Sequence, residues 1–169
     1  MARYYSKISI RIIYITAKDM KYLSRISTIV ICFFLVCSCA TSRAVVSTSV
    51  DINRYEYVTF GDETTGDRSL DDIVLLVQNE ITDTRLQGVS SNEANSLIIA
   101  GKKVLTPNIN VKSQYWEGGH TYITITFYDF ASDQQVLVLK SSGIGLTVPH
   151  DQKIALKAIR KKIQSTFGK

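Results

Sequence analysis

The sequence predicts an α+β two-layer sandwich, a mostly antiparallel sheet with two helices on one face, in the order β-α-β-β-β-β-α. Three observations carry this. Ile123, Ile125 and Phe127 alternate with Tyr122, Thr124, Thr126 and Tyr128, the pattern of a strand with one dry and one wet face. Leu70, Ile73, Val74, Val77 and Ile81 recur at helical spacing. In the last segment Leu156, Ile159, Ile163 and Phe167 share one helical side, with Lys153, Lys157, Arg160 and Lys161 on the other. A sheet face buries the apolar stripe of each helix.

The elements follow in order. Residues 52–60 (INRYEYVTF) are aromatic and β-branched and read as the first strand. Residues 61–67 form a polar turn, and Ser69-Leu70-Asp71-Asp72 resembles a capping box opening the first helix, which ends before Gly88. Residues 89–95 read as loop, and Leu97 to Ile99, with Lys103 to Leu105, supply one short strand. Residues 108–146 form a three-stranded meander, turning at Gly118-Gly119 and again at 131–134. The last helix runs from near Asp151 to about Phe167. Residues 51–169 are thus one α+β domain.

Charge and cysteine divide the chain at residue 39. All three cysteines, Cys32, Cys37 and Cys39, fall at or before it. The whole net charge of +5 also falls there, because residues 40–169 hold 14 Lys/Arg against 14 Asp/Glu. A disulfide framework and a thiolate metal site in the domain are thereby excluded. From Met20 the segment has a short basic start, an apolar run over 26–36 and a small-residue exit, the pattern of a secretory signal peptide. The apolar run is shorter than the roughly 20 residues a membrane span needs. Residues 1–19 read as an over-called start, with Met20 the initiator.

Val36-Cys37-Ser38-Cys39 resembles the lipobox of bacterial lipoproteins. The resemblance implies cleavage between Ser38 and Cys39, with diacylglycerol on the Cys39 sulfur and a further acyl chain, palmitate for example, on the new amino terminus. Several chains hold a protein firmly on a membrane. Residues 1–38 are then the signal peptide and residues 39–50, small and hydroxyl-rich, a lipidated tether. No Asp follows the cysteine, and no acidic run does. In a Gram-negative cell this points to the outer membrane, facing the periplasm rather than the surface.

Residues able to carry catalysis are few. The two histidines, His120 and His150, lie at element boundaries without a patterned partner. No G-x-S-x-G elbow is present. The acids Asp62, Glu63, Asp67, Asp71 and Asp72 lack calcium-loop spacing and suit the positive end of a helix. Ser142-Gly143-Ile144-Gly145 lacks the third glycine of a dinucleotide fingerprint and reads as a strand-end kink. No catalytic residue, metal or cofactor beyond the covalent lipid is expected. Tyr55, Tyr57, Tyr115, Trp116, Tyr122 and Tyr128 form the candidate binding surface, since tyrosine and tryptophan anchor interfaces.

The lipobox, the YEYVTF strand, the capped helix, the ITITFYDFASDQQVLVL hairpin, the SSGIG segment and the basic last helix together resemble small Gram-negative envelope lipoproteins. Their α+β domain is similar to that of CsgG-like secretion lipoproteins and the TolB amino-terminal domain. The resemblance implies a non-enzymatic binding or scaffolding role, with the membrane and an envelope protein as partners and no nucleic acid. The alternatives are an envelope hydrolase using His120 or His150, and an accessory subunit of an outer-membrane secretion or assembly complex.

Overall fold

The computed structural model describes residues 39–46, 50–61, 67–114 and 119–168. The signal-peptide and cleavage assignments up to Ser38, and Tyr115 and Trp116, lie outside them. The described residues form a six-stranded mixed sheet with three helices, an α+β fold. The strands are β1 (Cys39–Val46), β2 (Tyr57–Val58), β3 (Gln87–Gly88), β4 (Val104–Gln114), β5 (His120–Asp129) and β6 (Gln135–Ile144). The helices are α1 (Arg68–Thr82), α2 (Ser91–Ile99) and α3 (Val148–Phe167). Spatial order is β1-β6-β5-β4-β2-β3. The neighbours from β1 to β4 are antiparallel, while β2 pairs parallel with both β3 and β4.

The meander forms where alternation predicts it. Ile123, Ile125 and Phe127 are fully buried, as are Leu137 and Leu139 beside them on β6. Ile73, Val74, Val77 and Ile81 of α1 and Ala155, Ile159, Ile163 and Phe167 of α3 complete that core. Phe127 and Phe167 meet with ring centroids 5.1 Å apart. Arg160 pairs with Glu80 and ties α3 to α1 at the surface.

Several elements differ from the sequence reading: β3 (Gln87–Gly88) forms where none is expected, and α3 starts at Val148 rather than near Asp151. Residues 39–46, expected as tether, form edge strand β1, with Cys39 opposite Ile144 and Val46 opposite Leu137. Residues 40–45 stay exposed, so the strand is held by its backbone ladder and by the 2.7 Å Thr41 Oγ1–Ser142 Oγ hydrogen bond. The expected first strand shrinks to Tyr57–Val58, because Ile52–Arg54 turns into a 3-10 helix capped by Asp51. Residues 91–99 are helix rather than loop and strand. Ser90 is the N-cap and accepts from the Glu93 amide at 3.3 Å, half of a capping box. α1 begins at Arg68, one residue before the expected serine, with the Asp67 carbonyl accepting from Leu70 and Asp71.

Candidate functional site

The face of the sheet away from α1 and α3 is open. Strand alternation and register place Thr41, Arg43 and Val45 of β1, Val138, Lys140 and Ser142 of β6, Tyr122, Thr124, Thr126 and Tyr128 of β5 and Asn108, Asn110 and Lys112 of β4 on it. Arg43 and Lys140 are directly opposite one another, and Lys112 lies two strands away beside Tyr122. These positions include no carboxylate, so the face is cationic in a domain whose formal charges sum to zero over residues 40–169. Like charges directly opposite across strands oppose pairing. An anionic or hydroxyl-rich partner would relieve that repulsion.

Of the tyrosines expected to share one surface, Tyr122 and Tyr128 do and Tyr55 does not. Tyr122 is 41% exposed on the open face and Tyr128 is half-buried there. Tyr57 is half-buried on β2. Tyr55 is in the core at 4% exposure, so it is not a surface anchor. Alternation marked the two β5 tyrosines; nothing local to Tyr55 told its burial, which a residue far along the chain decides.

That residue is Asp129, at the end of β5. The Tyr55 hydroxyl donates to its Oδ2 at 2.8 Å, and Lys103 Nζ lies 3.1 Å from the same oxygen. The other oxygen accepts from the Ala131 amide, the Ser132 amide and the Ser132 hydroxyl, at 3.0–3.1 Å. These bonds close the β5–β6 turn, in which Asp133 takes a φ of 55°. A pocket of about 200 Å³ opens beside the cluster, lined also by Arg54 and Gln134. Arg85 donates to the Tyr55 and Ile52 carbonyls at 2.7 and 3.1 Å, with its guanidinium over the Phe167 ring.

Burial opposes ionisation of Asp129, but the hydrogen bonds from Tyr55, Lys103 and Ser132 outweigh it and hold the carboxyl below its ordinary value. Burial, followed by the bond to Asp129 and its negative charge, pushes the Tyr55 phenol upward. The phenol is thus held protonated as a donor, and both carboxylate oxygens are occupied. This is chemistry suited to fastening a turn rather than to proton transfer. Because the folded phenol titrates above its unfolded value, its stabilisation is complete below pH 10.0 and is lost as pH rises beyond that. Tyr55→Phe is expected to cost about 1 kcal/mol at neutral pH. It should also flatten the alkaline decline in chemical-denaturation midpoints; an unchanged alkaline limb would show that other groups set it.

The histidines are apart from this cluster. His120 stacks on Tyr122, with centroids 6.1 Å apart and planes 8° from parallel. His150 is exposed in the first turn of α3. Among the described residues neither has a serine or carboxylate hydrogen-bond partner, and no group of three or more His, Cys, Asp or Glu is placed to hold a metal.

The SSGIG segment ends β6 and is also a packing device. Ser141 and Gly143 lie on the core side of β6, under α3. The Ser141 hydroxyl donates to the Ala155 carbonyl at 3.0 Å. A Cβ at Gly143 would overlap the Asp151 carbonyl and come within 2.6 Å of the Ala155 nitrogen. Asp151 is fully buried, its carboxylate against Gly119 and Gly145 with neither oxygen hydrogen-bonded. Small residues two apart in a strand are the signal that a helix approaches closely.

Fold and sites define a small α+β domain with one face sealed by helices and a polar, cationic face left open. No family model matches this chain, and no curated protein matches it. Among solved structures it is similar to the PelC dodecamer from Paraburkholderia phytofirmans. A single-residue variant of PelC shows 12% identity and a TM-score of 0.49, over 78% of this chain and 100% of that one. A second crystal form shows 11% and 0.47, over 78% and 99%. A PDZ domain protein from Parabacteroides distasonis shows 11% and 0.49; 78% of this chain is matched to 37% of that one. At these identities and scores the likeness carries no functional argument.

Proposed function

We propose that this protein is a lipid-anchored envelope lipoprotein whose domain binds or scaffolds a partner in the periplasm, without catalysis of its own. The observation that supports this most is a coincidence of boundaries. The lipobox-like Val36-Cys37-Ser38-Cys39 makes Cys39 the first residue of the mature chain, and the compact unit spans Cys39–Lys169. The lipid confines the domain to a surface and raises its effective concentration for a membrane partner. The open face with Arg43, Lys140, Lys112 and Tyr122 is the surface offered to that partner. The kinship with CsgG-like and TolB-type envelope domains belongs to the same proposal.

Cys39→Ser is the test. In a Gram-negative host the unsubstituted protein is expected in the outer-membrane fraction, with the mass of diacylglycerol and acyl chains on its first residue. The variant is expected to lose that mass and leave the membrane fraction. Equal membrane retention of both, with no lipid mass, would sink the proposal.

A further inference from the structure

We infer that the end of the sheet at which β1 begins rests on the lipid surface, with Ile144 and Leu146 entering the headgroup layer. This rests on the lipid-anchor reading above and specifies how the anchored domain sits.

The register carries the argument. Cys39 is opposite Ile144, Ile144 opposite His120, and His120 opposite Gln114, so one row of residues spans four strands at this end. A flexible tether of ten residues would let the domain range about 17 Å from its anchor. No such tether exists, because Cys39 is itself the first residue of β1 and is paired in the ladder. A lipid on Cys39 therefore brings this row to the bilayer surface.

The side chains there suit that surface. Leu146 is 82% exposed and Ile144 39%, two residues apart where β6 leaves the sheet. Apolar side chains on a surface segment partition into the headgroup and acyl boundary. The described residues of the row and of the 145–150 segment include no carboxylate, and the next acid, Asp151, is fully buried. Nothing in that row or segment thus repels anionic headgroups. The opposite end differs. There the exposed Asp133 stands at the β5–β6 turn, and Ile99, although 89% exposed, lies a few residues before Val104, far along β4 from Gln114.

The two exposed positions supply matched probes. The single tryptophan is first removed by Trp116→Phe. Leu146→Trp or Ile99→Trp is then introduced into the full chain, which is purified with its lipid and reconstituted into phosphatidylcholine–phosphatidylglycerol vesicles with brominated or ordinary acyl chains. Emission from Leu146→Trp is expected to fall roughly twofold in brominated vesicles, as for a side chain within the interface. Emission from Ile99→Trp is expected to stay unchanged. A lipidated protein with neither probe quenched, or both quenched equally, overturns the seating while leaving the anchor intact. A mass without lipid overturns the anchor and the seating together. Both probe positions are exposed, and a urea-denaturation midpoint equal to that of the Trp116→Phe parent checks that each probe protein is folded.

Discussion

Gly143→Ala is expected to destabilise the domain by about 3 kcal/mol, the upper end of ordinary overpacking costs. The new Cβ would meet backbone, the Asp151 carbonyl and the Ala155 amide nitrogen, which cannot rotate away as a side chain can. α3 would have to lift from β6, stretching the Ser141–Ala155 hydrogen bond and loosening Ile159 and Phe167 in the core. Urea denaturation with circular dichroism reads the change. Gly61→Ala is the matched control, since a Cβ there meets nothing within 4 Å. A midpoint for Gly143→Ala equal to that of Gly61→Ala would mean that the helix is free to move, and the close-approach reading would fail.

Asp129→Ala is expected to cost about 2–3 kcal/mol, because it leaves a buried hydroxyl and two turn amides without their acceptor. The Tyr55 hydroxyl loses its partner in the core, and the Ala131 and Ser132 amides lose theirs in the turn. Lys103 is half exposed and turns to water, so its pairing adds little. The pH dependence separates this from simple truncation. The folded Asp129 carboxyl titrates below its unfolded value of 3.8, so its contribution is present above that pH and is lost as pH falls through the lower folded value. The variant should lose stability at neutral pH and show a shallower decline below pH 4. An acid limb as steep as the parent's would assign that limb to other carboxylates.

Legibility in the sequence followed the range of the interactions. The meander and the two long helices were readable, since period-two and period-3.6 burial are written in neighbouring residues. Residues 91–99 were readable in principle: Ser90 and Glu93 stand at capping-box spacing, but the polar run between them resembles a loop. β1 was not. Val45 and Val46 favour a strand, but the small Ala and Ser residues before them carry no alternating pattern, and the segment forms a strand because the β6 edge has backbone groups to pair.

The candidate site divides along the same line. The exposure of Tyr122 follows from alternation between neighbouring residues, so it was legible. Arg43 meets Lys140 from 97 residues away by register alone, and Tyr55 meets Asp129 across 74 residues. Chain pattern tells which face of an element is apolar, but not which distant element will cover it.

By itself, then, the sequence determined the α+β class, the apolar faces of its long elements and the lipobox-like cysteine, all of which are local patterns. Only the tertiary structure decided that the expected tether is a sheet edge, that Tyr55 is a core donor, that Gly143 admits a helix and that the open face is cationic. Each of these depends on a partner set by strand register or helix docking, and such pairings come into being when the chain closes over long sequence distances.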